Sequence, residues 1–258
     1  MAIIPVPPLA SETIMHIGSF EVRNTLLMAW LAMGVLFVVS LLAKGRGYKL
    51  IPGRFQAFIE MIVEGLYDFF HSIFQDEAMT RKFFPLVATM FLFIITANWM
   101  GILPGVGSIL VQRGDESIPL LRSMNADVNM SLTFALVAVI VAQVVGITTI
   151  GISAHAGKYF VWPWKKPYLI GTFVGILELV GEFSRIVAFT FRLFGNIFAG
   201  EVLLVVVSAL LPYFVPIPFL GLELFVGFIQ AMVFAMLTAV FILMAMSVHG
   251  DHVEKAHG

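Results

Sequence analysis

The sequence predicts an all-α membrane protein with five membrane-crossing helical segments and one interfacial amphipathic helix. The last two segments form a long, steeply tilted antiparallel hairpin. Three observations point there. The residues are 60% hydrophobic and only 12% charged, with a mean hydropathy of +0.98, outside the range of soluble domains. Apolar residues gather in runs near or above the roughly 20 that span a bilayer core of about 30 Å. Once these runs are assigned, too little of the 258 residues is left to build a sizeable soluble domain.

The start, "MAIIPVPPLASETIMHIG", lacks the basic beginning and apolar core of a cleavable signal, so residues 1–25 are expected to be a mature outer segment. The first span runs from about Leu26 to Ala43 and stops at "KGRGYKLIPGR". Next, "FQAFIEMIVEGLYDFFHSIFQDE" sets Glu60, Glu64 and Asp68 four residues apart with Phe and Ile opposite, which predicts a helix lying along the interface or packed on its neighbours. The second and third spans are "FFPLVATMFLFIITANWMGILPG" and "MSLTFALVAVIVAQVVGITTIGI", joined by a polar loop carrying Arg113, Asp115, Glu116, Arg122 and Asp127. With the interfacial helix they make up residues 26–167.

Residues 168–249 hold the hairpin. From Tyr168 to Leu211 there is no proline, enough for a helix of roughly 65 Å, and Phe219 to Val248 would make roughly 45 Å. Average tilts near 20° cannot absorb either length, so both must lean steeply, kink, or run partly in the membrane plane. The short "PYFVPIP" link makes them antiparallel, and Gly181, Gly195 and Gly200 are candidate kink or close-packing positions. Residues 250–258 form a tail.

Orientation follows from the short-loop cations. Lys44, Arg46, Lys49, Arg54, Arg81, Lys82, Lys158, Lys165, Lys166 and Lys255 fall on one side, and only Arg23, Arg113 and Arg122 on the other. The first side is expected to be cytoplasmic, with the N-terminus outside and the C-terminus inside, which five crossings require.

Six ionisable residues lie within the hairpin: Glu178, Glu182, Arg185, Arg192, Glu201 and Glu223. A central membrane charge costs about 2.5–3.5 kcal/mol on insertion scales, so such residues face protein or water and often mark an ion path. Glu178, Glu182 and Arg185 lie three and seven residues apart, so structural pairing is an alternative for them. Arg192 has no such partner: Glu201 points to the opposite side of the helix, about 13 Å farther along. Its own face carries Asn196 and Ala199, with Gly195 beside them, a surface that another helix can approach closely. Guanidinium keeps its charge, so the sequence suggests a carboxylate supplied in trans by a partner subunit. Glu201 and Glu223, one on each helix, suit groups that take up and release protons. Gln230, one heptad beyond Glu223, extends a polar lane, although interhelical hydrogen bonding alone would also explain it.

Other chemistries find little support. With no cysteine there is no disulfide, thiolate metal site or cysteine nucleophile, and a net charge of −1 argues against a nucleic-acid partner. His249, His252 and His257 are expected in a solvated tail and not at a metal. GxxxxGK[ST], HExxH and GxGxxG motifs are absent, so neither a cofactor nor a catalytic site of its own is expected. Trp162 and Trp164 suit an interfacial belt.

The segments "FRLFGNIFAGE" (191–201), "FIQAMVFAMLTAVFI" (228–242), "NADVNMSL" (125–132) and "FLFIITANWMGILPG" (91–105) resemble the a-subunit family of F-type ATP synthases, over most of the chain's length. In that family the protein is the membrane stator beside a rotating ring of c subunits. The resemblance implies that Arg192 is the essential stator arginine, with Asn196 and Gln230 its polar neighbours. It also implies that Glu201 and Glu223 line an outer half-channel, with Asp127 and Asn129 where the outer loop meets it. Glu178 falls at the inner half-channel, and Ser184 and Arg185 match further polar positions. Family members often have a glutamate and a histidine where this chain has Glu201 and Glu223, so two carboxylates here would share charge, and one proton between them is a possible arrangement. The implied partners are the c ring, b-type peripheral stalk subunits, membrane lipid and, indirectly, the catalytic head, in a bacterial plasma (inner) membrane.

The alternative is a self-contained ion channel or secondary transporter, which would need its own gate or an inverted repeat; the sequence contains no second copy of the long hairpin. Purification separates the two. A stator subunit is expected to copurify with small two-helix ring subunits and an ATPase, and a transporter without them.

Overall fold

The computed structural model describes residues 10–45, 52–103, 105–113, 116–159, 170–211 and 214–247. Outside these lie Arg46, Lys49, Asp115, the "VWPWKKP" stretch with Trp162, Trp164, Lys165 and Lys166, Pro212 and Tyr213 of the link, and the tail with its three histidines and Lys255.

Five described helices are long and apolar enough to cross a membrane, matching the five expected spans. They are α1 (Asn24–Gly45), α3 (Glu77–Ile102), α4 (Val128–Ile150), α6 (Ile170–Leu210, apolar from Gly175) and α7 (Pro216–Ser247). The chain is therefore a multi-pass integral membrane protein. Two shorter helices join them, the amphipathic α2 (Arg54–Phe74) and α5 (Ile152–Tyr159). Two small antiparallel hairpins, β1 (Thr13–Ile17) with β2 (Phe20–Arg23) and β3 (Leu110–Arg113) with β4 (Glu116–Pro119), were not foreseen. Their strands are too short to carry a clear alternation, and Gly18 at φ +65° makes the first turn.

Helix α2 behaves as its acidic stripe requires. Glu60, Glu64 and Asp68 stay exposed, while Leu66, Phe70 and Phe74 are buried. The apolar face docks on α3 through edge-on ring contacts, Tyr67 to Phe84 at 5.2 Å and Phe70 to Phe84 at 6.5 Å. Gln75 then takes a left-handed conformation (φ 55°), and Asp76 caps α3 by accepting from the Met79 amide at 2.7 Å.

The core lies where α3, α4, α6 and α7 meet. Phe189 of α6 stacks 4.8 Å from Phe234 and 5.2 Å from Phe241 of α7, and Phe134 of α4 meets Phe234 at 6.4 Å. In lipid, apolar burial drives helix association weakly, so close packing and interhelical hydrogen bonds carry much of the specificity. Small residues allow this: Ala97, Ala135, Ala138, Ala231, Ala235 and Ala239 are fully buried.

Polar pairs set the register. The fully buried Asn98 of α3 donates to the Gly227 carbonyl of α7 at 3.0 Å and accepts from Asn125 Nδ2 at 2.6 Å. Gly227 matters sterically, because a Cβ there would lie 3.2 Å from Asn98 Cβ. Trp99 Nε1 donates to the Leu224 carbonyl at 3.1 Å. At the other end of the bundle, buried His155 of α5 lies 2.6 Å from Gln143 of α4, its ring pressed on Gly146.

Helices α6 and α7 form the expected antiparallel pair. At 41 and 32 residues they are roughly 61 and 48 Å long. Of the three glycines singled out, only Gly200 is in close contact; Cβ atoms at Gly181 and Gly195 would meet open space.

Replacing Asn98 with leucine leaves the Gly227 carbonyl and the Asn125 amide without this partner in a dry core. The expected result is a loss of about 1–3 kcal/mol for each group left unsatisfied, read as a lower midpoint of thermal unfolding in detergent.

Candidate functional site

The ionisable residues of the hairpin divide by partner. Near the α5 end, Arg185 donates to Glu182 at 2.7 Å and sits 4.2 Å above the Phe241 ring, a doubly held cation. The pairing alternative thus holds for Glu182 and Arg185 but does not include Glu178, which is exposed and makes no ion pair with Arg185. Ser184 shares the exposed side of α6 with Glu178.

Two turns farther on, Arg192 is exposed and makes no hydrogen bond or ion pair among the described residues. Its neighbours Leu193 and Phe194 are buried, so the helix turns its apolar side inward and the guanidinium outward. Ala188, Asn196 and Ala199 are exposed beside it, giving a surface of short side chains around one cation. Asn196 Nδ2 donates to Gln230 Oε1 at 2.7 Å, tying this surface to α7, where Gln230 is 3% exposed. This is the interhelical hydrogen bond that the sequence offered as the alternative account of Gln230.

One turn beyond Asn196, Glu223 lies against α6 because Gly200 has no side chain. A Cβ at that position would be 2.8 Å from the Glu223 Oε1. Glu223 is 8% exposed, and its Oε2 is buried without a hydrogen-bond partner. Glu201 has a partner that the sequence did not reveal. Arg122 Nε donates to its Oε1 at 3.1 Å and Nη2 to its Oε2 at 3.3 Å, with Arg122 only 4% exposed. Sequence reasoning counted Arg122 as a loop cation and missed this role. The contact joins residues 79 apart, and no periodicity within one segment signals it.

The loop that delivers Arg122 is built by local chemistry. After β4 the chain passes Ser123, which lies so close to α3 that a Cβ on Gly101 would be 2.7 Å from its Oγ. A 3-10 turn over Met124–Ala126 follows, and Asp127 caps α4 by accepting from the Asn129 amide at 2.9 Å. Asp127 is 3% exposed and also accepts from Asn129 Nδ2, Thr25 Oγ1 and Ser11 Oγ, so it joins the N-terminal segment, α1 and α4. Arg122 Nη1 donates to the Ala10 carbonyl at 3.2 Å, a second link to the same segment.

Two cavities meet at Glu223. One, of about 310 Å³, opens beneath the β3–β4 hairpin and is lined by Arg122, Ser123, Glu201 and Glu223. The other, of about 180 Å³, lies between α6 and α7 and is lined by Asn196, Ala199, Gly200 and Glu223. The first reaches the loop before α4, and the second reaches Asn196 and Ala199, which lie beside Arg192.

Known proteins resemble this chain over most of its length. The family described as ATP synthase A chain matches residues 26–243. The chain is 36% identical to ATP synthase subunit a of Desulfotalea psychrophila, over 84% of this chain and 81% of that protein. Its identity to the proteins of the same name from Geotalea daltonii and Trichlorobacter lovleyi is 32% in each case, covering 83% and 90% of this chain and the same shares of those proteins. The match takes in three complete apolar helices and nearly all of the other two, together with every hairpin residue described above, and the chain belongs to the ATP synthase A chain family.

Proposed function

We propose that this chain provides two offset aqueous half-channels and an essential arginine for moving protons to and from a rotating ring of c subunits. Family membership supports the coarser statement, a stator subunit in the proton-translocating sector of an ATP synthase. The observation that carries the finer one is Arg192, an exposed cation on a membrane helix with no partner among the described residues, framed by Ala188, Asn196 and Ala199. A permanent charge in hydrocarbon needs a counter-charge, and short side chains leave room for a helix that brings one.

In this mechanism protons enter the 310 Å³ cavity, reach Glu223, and pass along the α6–α7 cavity toward Asn196 and Gln230. There they neutralise a ring carboxylate, which travels round through lipid. The proton leaves by a second path near Glu178, and the ionised carboxylate then meets Arg192. The guanidinium attracts that carboxylate and repels a proton moving directly between the paths. Each charge crossing carries about 2.3 kcal/mol per 100 mV, which a leak at this point would dissipate. The length of α6, beyond what one perpendicular crossing needs, suits a helix laid across several ring subunits.

The remaining assignments follow the same reading. The β-hairpin end faces outward and the α5 end faces the cytoplasm of a bacterial inner membrane. Asp127 and Asn129 stand at the outer mouth, Ser184 and Arg185 border the inner path, and b-type stalk subunits hold the chain against the catalytic head. The four regions, 1–25, 26–167, 168–249 and 250–258, act as outer segment, scaffold, ion-path hairpin and cytoplasmic tail.

Arg192→Ala is expected to leave assembly with the ring and ATPase intact and to abolish proton-driven ATP synthesis in vesicles. Synthesis at the native rate would overturn the reading. If the chain were only structural, Arg192→Gln, Glu201→Gln and Glu223→Gln would all be silent; under this mechanism none is.

A further inference from the structure

The cavity beneath the β3–β4 hairpin is lined by three ionisable side chains, Arg122, Glu201 and Glu223, the rest of its wall being uncharged. We propose that Arg122 is a positioning residue of the proton path: it holds Glu201 in a standing ion pair, leaving Glu223 as the single exchanging carboxyl of this cavity. The inference rests on the stator reading above and refines it.

The geometry separates the two glutamates. Arg122 is oriented from two sides, with Nε and Nη2 on the Glu201 oxygens and Nη1 on the Ala10 carbonyl. Guanidinium does not give up its proton, and a forked contact to both oxygens of a carboxylate is its strongest pairing. Glu201 therefore has a permanent counter-charge. Glu223 has none: its Oε2 is buried without a partner, and its carboxyl rests on Gly200. The nearest other acid of the adjoining loop, Asp127, is engaged by Ser11, Thr25 and Asn129. Two carboxyl groups facing one guanidinium are neutral with one proton, and the contacts assign that proton to Glu223. Position agrees, because both cavities include Glu223, whereas Glu201 lines only the outer one.

The two glutamates should then respond differently to the loss of Arg122. Removing either partner of the pair leaves an uncompensated charge beside the path; removing both does not. The test is gradient-driven ATP synthesis against pH in vesicles holding the assembled complex. Arg122→Gln and Glu201→Gln are each expected to lower the rate about tenfold or to move the midpoint of the pH profile by about one unit, the effect of one unpaired neighbouring charge. The double variant, Arg122→Gln with Glu201→Gln, should recover most of that loss and return the midpoint. Arg122→Lys, which keeps the charge, should hold the native midpoint. Glu223→Gln should stay inactive in every background. A native rate and profile in Arg122→Gln, a double variant no better than the singles, or recovery of Glu223→Gln by loss of Arg122 would each overturn the proposal. Arg192→Ala measured alongside separates the two ideas, since synthesis retained there defeats the stator reading and not the role of Arg122 alone.

Discussion

A charge placed in hydrocarbon must find a counter-charge, a hydrogen-bond shell or water, and the hairpin is organised around that requirement. Arg185 is met by Glu182 and by the face of Phe241, and Glu201 by Arg122. Both are closed arrangements within the chain. Arg192 is left open on a face of short side chains. The same physics that settles its neighbours leaves this residue without a counter-charge among the described residues.

The rest of the bundle holds that open face in place. Because lipid tails are as apolar as leucine, the helices are registered by contacts that hydrocarbon cannot supply. Asn98 grips the backbone of α7 at Gly227, Trp99 grips it at Leu224, and Asn196 meets Gln230 across the hairpin. Glycines sit where close approach is demanded, Gly227 against Asn98, Gly101 against Ser123 and Gly200 against Glu223. The side chains of the hairpin are thus held in register partly by α3, through Asn98 and Trp99.

The two cavities give this rigidity a direction. One begins at the loop end, and the other reaches the Arg192 face, with Glu223 common to both. A single carboxyl, that of Glu223, lines both cavities. The loop before α4 serves the junction as well, since one short stretch supplies the Arg122 ion pair, the Ser123 contact with α3 and the Asp127 cap.

Much of this was legible in one dimension. Five apolar runs, an acidic stripe on α2, two helices too long for one perpendicular crossing and an arginine without a partner on its own face all follow from spacing and composition, since hydropathy and helical period are local properties. Those same properties report which way a side chain faces along its helix, not which helix it meets. So the cation that meets Glu201, 79 residues away, and the bond from Asn98 to Gly227, across 129 residues, carried no local signal. The strands were too short to show alternation, and Gly195 and Gly200 looked alike although only one touches a neighbour. By itself the sequence determined that a permanent charge crosses into the membrane. Only the tertiary structure decided which charges are answered inside the chain, because pairing depends on distances in space that local periodicity does not encode.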